Sequence, residues 1–116
     1  CNVYTKKGYF TAATGYCEKT LELKPGVYDA MNRLAWLYAK KQTKLEKALD
    51  LSTQTLKAFP KRPEFIDTLS EIYYVQGKSE DAIAKIKEAL DLVPNDAYYK
   101  QQLWKFKNVK PKKPAA

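Results

Sequence analysis

The sequence contains no histidine, two cysteines and only four glycines among 116 residues. Without histidine, a zinc site would need four thiolate or carboxylate ligands, and the most frequent general acid–base of enzymes is missing. No glycine-rich phosphate loop is present. No stretch approaches the roughly 18 apolar residues that predict a transmembrane helix, and no signal peptide is visible. We therefore expect no cofactor, no metal site and no transmembrane segment.

The nearest approach to a catalytic carboxylate pair is a cluster of three acids. Glu64, Asp67 and Glu71 are spaced three and four residues apart, so one helix face presents all three. No nucleophile or base accompanies them in a known catalytic pattern. We interpret the cluster as a solvent- or ligand-facing surface and predict that the protein is not an enzyme.

The two cysteines are Cys1 and Cys17. Cys17 falls on the apolar stripe of its predicted helix, so we interpret it as a core residue, with a disulfide or a reactive thiol as the alternative. Cys1 would suit the first residue of a mature bacterial lipoprotein, although no linker separates it from the predicted helix. Because the chain begins with cysteine, inside a helix, we expect it to be a fragment of a longer protein.

The remaining composition is that of an ordinary folded domain, with 45% hydrophobic and 29% charged residues. The formal net charge is +8, but the last twelve residues hold five lysines and no acid, which leaves +3 for the rest of the chain. The basic excess is therefore largely a property of a tail that carries Lys105, Lys107, Lys110, Lys112 and Lys113.

The stretch from Pro63 to Pro94 predicts two short helices joined by a turn. Apolar residues recur at three- and four-residue steps in both halves, which predicts a buried stripe on each helix. Gly77 interrupts the pattern between them, where the turn needs a residue that accepts a positive φ. Ala82 and Ala89 are small enough to let two helix backbones approach closely.

Copies of this hairpin follow one another with a period of 34 or 35 residues. A single hairpin cannot bury both of its faces, so stacked copies share a continuous core. The extra residue of the longer period lies in the turn at 39–46, where Thr43 and Glu46 also predict a capping box. The register is kept by Pro25, Pro60 and Pro94, by Ala13, Ala48 and Ala82, by Leu21, Leu56 and Leu90, and by Tyr4, Tyr38 and Tyr73.

This period, with leucine, a small residue, tyrosine, glycine, alanine and proline in order, resembles the tetratricopeptide repeat (TPR) family over roughly residues 1–107. The departures are small or apolar replacements, such as Met31 and Ile66 at the family's usual tryptophan. The resemblance implies an all-α fold, a right-handed superhelical solenoid of helical hairpins with a C-terminal capping helix. We divide the chain into about two and a half repeats (1–26 truncated, 27–61 and 62–94), a capping helix at 95–107 and a basic, disordered tail at 108–116.

The resemblance also implies a non-catalytic scaffold for protein–protein interaction. In the family, the leading helices of successive hairpins line a concave groove that binds peptides or helices of partners. The repeat register transfers this groove to Asp29, Asn32, Arg33 and Trp36 in the second repeat, to Glu64, Asp67, Thr68, Glu71 and Tyr74 in the third, and to Tyr98 and Gln102 in the capping helix.

The charges in this groove predict the kind of partner. The subfamily that grips C-terminal carboxylates uses lysines, an arginine and asparagines here, whereas this groove carries an acidic wall, which disfavours an anionic tail. We expect a basic or amphipathic partner segment, with Trp36 and Tyr74 as aromatic anchors. The alternative is that Trp36 only packs between leading helices.

The lysine-rich tail leaves three interpretations open. It can be a solubilising C-terminus, a contact for nucleic acid or an anionic membrane surface, or a docking segment for another protein. The second of these is our alternative function for the whole chain. The truncated N-terminal edge, which lacks most of its leading helix, is also a candidate surface for self-association.

Overall fold

A computed structural model describes residues 10–24 and 26–112, and these residues form α-helices joined by short turns, with no β-strand among them. None of the described helices is both long enough and apolar enough to cross a membrane. In chain order the helices are α1 (Phe10–Leu23), α2 (Tyr28–Lys41), α3 (Leu45–Ala58), α4 (Pro63–Val75), α5 (Ser79–Leu92) and α6 (Ala97–Asn108).

The helices pair as hairpins and stack in chain order. α2 and α3 form one hairpin, α4 and α5 form the next, α1 packs on α2, and α6 packs on α5. The leading helices α2 and α4 also contact each other directly. This is the predicted all-α arrangement of helical hairpins with a terminal helix on the last hairpin.

The alanines that keep the repeat register are buried in the helix interfaces. Ala13, Ala48 and Ala82 are at most 1% exposed, as close approach of the helix backbones requires. Cys17 is fully buried, so its interpretation as a core residue is confirmed, and this burial raises the pKa of its thiol. The interpretations of Cys1 and of the N-terminal edge concern residues outside the described part of the chain.

The core is continuous along the stack because each hairpin contributes residues to its neighbour. Ile72 of α4 is buried with the residues of α1, α2 and α3. Leu56 of α3 packs against the cluster formed by α4, α5 and α6. Val75 of α4 contacts both clusters, so neither hairpin has a core of its own.

The two hairpin turns differ because one of them accommodates the inserted residue. Gly77 takes the expected positive φ of 84° after α4. After α2, which is 14 residues long against 13 for α4, Gln42 and Lys44 both adopt left-handed conformations. The predicted capping box of Thr43 and Glu46 is therefore wrong, since the left-handed Lys44 immediately precedes α3 and no side chain caps that helix.

We predict opposite effects of one substitution at two glycines. Gly15→Ala, within α1, should raise the free energy of unfolding by roughly 0.5–1 kcal/mol, because alanine favours the helix and its Cβ meets no atom within 4 Å. Gly77→Ala should lower it by roughly 1–2 kcal/mol, because the left-handed backbone is strained for alanine. Urea unfolding followed by circular dichroism measures both, and a stabilising Gly77→Ala would contradict the turn geometry.

Candidate functional site

The leading helices bring most of the predicted groove residues onto one surface. A cavity of about 380 Å³ lies between α2, α4 and the start of α6. Seven of the predicted residues line it, namely Asn32, Arg33, Trp36, Glu64, Asp67, Thr68 and Tyr98.

The cavity walls offer both polar and aromatic groups. The Oδ1 atom of Asn32 is buried and has no hydrogen-bond partner among the described residues. Trp36 is half-buried, and the Nζ atom of Lys40 lies 4.4 Å from the centroid of its ring. Glu64 is exposed and makes no ion pair in the described part of the chain. The hydroxyl of Thr68 donates to the backbone carbonyl of Glu64, within the same helix.

The other predicted groove residues do not line the cavity. Asp29 is exposed and pairs with Arg62, its Oδ1 atom 3.2 Å from the guanidinium Nη1. Glu71, Tyr74 and Gln102 are all buried, at 2%, 6% and 4% exposure. The sequence register placed these three on the helices where they lie, but it did not show that contacts between α4 and α6 bury them.

A polar cluster built around the buried side chains of Asp67, Glu71 and Gln102 joins α2, α4 and α6 beside the cavity. Gln102 on α6 donates from Nε2 to Asp67 Oδ1 and to Glu71 Oε1, both at 3.0 Å. Lys105 on α6 lies 2.8 Å from Glu71 Oε1, and Lys40 on α2 lies 3.4 Å from Glu71 Oε2. We call these five residues the polar cluster. The described residues contain no group of side chains suited to hold a metal ion.

The two carboxylates of the polar cluster have opposite pKa shifts. Burial raises the pKa of Asp67 to about 6, and the nearby Glu71 charge adds to this effect. Burial also disfavours ionised Glu71, but Lys40 and Lys105 outweigh it, so the pKa of Glu71 is lowered. The difference arises because both lysines pair with Glu71 and neither pairs with Asp67.

Two expectations about the groove need correction. The acidic wall is not an open surface, because Asp67 is 6% exposed and Glu71 is already neutralised by two lysines, which leaves Glu64 as the exposed acid. Tyr74 is not an open aromatic anchor. Its ring lies 5.0 Å from that of Phe106 on α6, and its hydroxyl donates to the backbone carbonyl of Val109 at 2.9 Å.

No protein-family model matches the chain, and no curated protein matches it in sequence. Solved structures do match in fold. The K341M mutant of the O-GlcNAc transferase from Thermobaculum terrenum superposes with a TM-score of 0.76 at 20% identity over 85% of this chain, and the TPR domain of P58(IPK) with 0.72 at 21% over 86%. The fold is that of the tetratricopeptide repeats. The chain spans only 19% and 29% of the length of those two structures, and identities this low show the fold alone.

The tetratricopeptide register contains a signal for the buried contacts that the sequence analysis missed. Residues one repeat apart occupy equivalent places on adjacent leading helices, so their side chains can meet. Tyr74 and Val109 are separated by 35 residues, Asp67 and Gln102 also by 35, and Glu71 and Lys105 by 34. Pairing each groove residue with its successor one repeat later would have predicted these contacts.

The lysines assigned to the tail fall into two groups. Lys105, which the sequence analysis assigned to the basic tail, is instead part of α6, and its ammonium group contacts Glu71. Lys107, Lys110 and Lys112 are exposed, and Lys113 lies outside the described residues. The segment 109–112, which we call the C-terminal segment, has no regular secondary structure. The Nε2 atom of Gln42 donates to the Lys112 carbonyl at 2.6 Å.

We predict that Asp67→Asn stabilises the protein at neutral pH but not in acid. A folded-state pKa of about 6, above the ordinary 3.8, means that ionised Asp67 is unfavourable in the fold. Its contribution to stability is therefore greatest below pH 4 and is lost as pH rises through 6. The free energy of unfolding of the asparagine variant should exceed that of wild type by about 1–3 kcal/mol at pH 7.5, and this difference should shrink towards pH 4.

Glu71→Gln is the matched control for this measurement, since it changes the neighbouring carboxylate. Because the pKa of Glu71 is lowered, its ionised form stabilises the fold above its ordinary pKa, and this is lost as pH falls through the lowered value. Glu71→Gln should therefore destabilise at pH 7.5 and less so in acid. Chemical unfolding from pH 2 to 8 covers the titration of both carboxylates, and profiles of the same sign would contradict the two assignments.

Proposed function

We propose that the chain is a non-catalytic scaffold for protein–protein interaction, and that its concave surface binds a peptide or helical segment of a partner. The observation that carries this proposal is the open cavity between α2, α4 and α6, whose walls combine an unpaired amide oxygen, a half-buried tryptophan and an exposed acid. Concave surfaces with an aromatic anchor and a few placed polar groups are typical of binding sites.

Each kind of wall group supports a particular contact with a bound segment. The Oδ1 atom of Asn32, which lacks a partner, suits a backbone N–H of the ligand, since buried acceptors are normally hydrogen-bonded. The ring of Trp36 offers a large apolar face. Tyr98 is 43% exposed and its ring lies 5.8 Å from that of Tyr99, so it provides a second aromatic surface.

The charges of the cavity favour a basic or amphipathic segment. Glu64 is exposed on α4, and Asp67 one turn later is mostly ionised above pH 6. Arg33 lines the opposite wall on α2, so the negative character is confined to the α4 side. A ligand with a lysine or arginine facing α4 and an apolar group facing Trp36 would complement this arrangement.

The alternative function, binding of nucleic acid or an anionic membrane surface through the lysine tail, has weaker support. Lys105 is engaged with Glu71, which removes one of the five lysines on which this alternative depends. The exposed Lys107, Lys110 and Lys112 remain available for non-specific phosphate contacts. Binding through them would weaken steeply with salt and would not depend on the cavity.

The absence of catalysis is part of the proposal. One of the two structures named above is an enzyme, but the likeness covers only 19% of that chain and extends to the fold alone. The titratable groups beside the cavity, Asp67 and Glu71, are held by Gln102 and two lysines, an arrangement that joins helices.

We predict that Trp36→Ala weakens capture of the partner at least tenfold, because truncation of a central aromatic anchor removes on the order of 2 kcal/mol of binding energy. The matched control is Trp104→Ala. Trp104 is 59% exposed on α6 and does not line the cavity, so its truncation should leave capture unchanged. The measurement is a pull-down from a lysate of the source cells, followed by titration with the purified partner.

Nuclease treatment and a salt series separate this proposal from the alternative. A captured protein that stays bound through nuclease treatment and the salt series, and that is lost only from the Trp36→Ala variant, supports binding in the groove. Binding that is lost with nuclease or at moderate salt, and that is unchanged in the Trp36→Ala variant, supports binding through the lysine-rich tail instead. Circular dichroism of each variant must show wild-type helicity for the comparison to hold.

A further inference from the structure

The C-terminal segment lies across the ends of the leading helices. Its first residue, Val109, accepts a hydrogen bond from Tyr74 in the last turn of α4 at 2.9 Å. Its last residue, Lys112, accepts one at 2.6 Å from Gln42, the residue that directly follows α2. The segment therefore runs back from the third repeat to the second, over the same leading helices that line the cavity.

The sequence of the segment favours an extended backbone. Val109 ends α6 with φ −124° and ψ 125°, which are extended values. Pro111 restricts its own φ and also disfavours a helical conformation of Lys110. Three residues of extended chain cover at most about 10 Å, which matches the spacing of about 8–10 Å between the axes of packed helices.

The contacts are made to the backbone of the segment. The hydrogen bonds from Tyr74 and Gln42 both end on carbonyl oxygens of the segment. The side chains of Lys110 and Lys112 are exposed, and Val109 is 43% exposed. The last turn of α2 carries Lys40 and Lys41, which would not attract a lysine-rich strand. The surface therefore recognises the shape of the strand and its carbonyls, and does not depend on its positive charge.

We propose that the C-terminal ends of α2 and α4 form a binding site for an extended, proline-containing peptide strand, and that residues 109–112 occupy it as an internal ligand. This inference rests on the proposed function, since it specifies one class of segment that the concave face accepts and adds a regulatory contact. Gln42 and Tyr74 are the donors that hold the strand.

The internal ligand has an advantage over any strand from another molecule. A short tether gives an effective concentration on the order of millimolar, so a weakly binding strand in trans cannot compete until the segment is released. Replacement of residues 109–112 by Gly-Ser-Gly-Ser keeps the chain length and the sequences of all six helices, and it removes the proline and the natural side chains of the segment.

The test uses a labelled peptide with the sequence of residues 108–116, NVKPKKPAA, and fluorescence anisotropy. The chain with the Gly-Ser replacement should bind this peptide at least tenfold more tightly than the natural chain. A peptide with Pro111→Gly should bind several-fold more weakly, whereas a peptide with Lys110→Ala and Lys112→Ala should bind equally well. Equal binding to both chains, or affinity that follows the lysines and not the proline, would overturn the proposal.

Two pairs of protein variants locate the site in the Gly-Ser background. Tyr74→Phe and Gln42→Ala should each weaken peptide binding several-fold, because each removes a donor. Their controls are Tyr28→Phe and Gln54→Ala, which alter exposed residues that make no contact with the segment. Loss of binding with the controls, or full binding without the donors, would contradict the assignment.

A measurement on the full chain keeps the inference testable if the Gly-Ser chain does not fold. Tyr74→Phe combined with Gln42→Ala should make residues 109–112 more mobile, as measured by amide relaxation, and unchanged order would overturn the proposal.

Failure of this inference can be distinguished from failure of the proposed function. If the chain captures a partner through Trp36 but does not bind the peptide, only this inference is contradicted. If it binds the peptide but captures no partner through Trp36, only the scaffold function is contradicted.

Discussion

The concave face of this protein depends on one buried carboxylate. Glu71 on α4 accepts a hydrogen bond from Lys105 on α6 and pairs with Lys40 on α2. A single side chain therefore links α2, α4 and α6. A buried charge is tolerated only when it is paired, and removal of one partner leaves the other uncompensated. This requirement fixes how far apart the leading helices lie, and with it the width of the cavity beside them. The apolar hairpin interfaces hold the stack together, whereas this polar contact defines its inner surface.

The sequence predicted the parts of the fold that local patterns determine. Alanines one period apart, such as Ala48 and Ala82, mark close helix contacts because only a small side chain fits there. The same register placed seven groove residues around one cavity. It could not show that Tyr74 is covered, because that depends on how Phe106 of α6 fits against α4. The predicted capping box failed for a related reason: the backbone path around the inserted residue is set by both adjoining helices.

The inner surface therefore has two zones with different chemistry. Around Asn32 and Trp36 it is open and carries side-chain acceptors and an aromatic face. Towards the C-terminal ends of α2 and α4 it presents donors, from Gln42 and Tyr74, and these already hold backbone carbonyls. A solenoid can offer such separate zones because each leading helix crosses the whole width of the concave face.

Lys40 connects these zones energetically. Its ammonium group lies over the ring of Trp36 and also pairs with Glu71, whose other oxygen holds Lys105 next to Tyr74. A ligand that occupied the Lys40 side of the Trp36 ring would displace the ammonium group of Lys40, which also pairs with Glu71. Thermodynamic linkage makes any such coupling reciprocal, so a change that breaks the ion pair between Lys105 and Glu71 would also alter the affinity of a ligand bound at Trp36. In the proposed function, occupancy of the Trp36 end of the groove would therefore be coupled to Lys105 at the other end through the charges of Lys40 and Glu71.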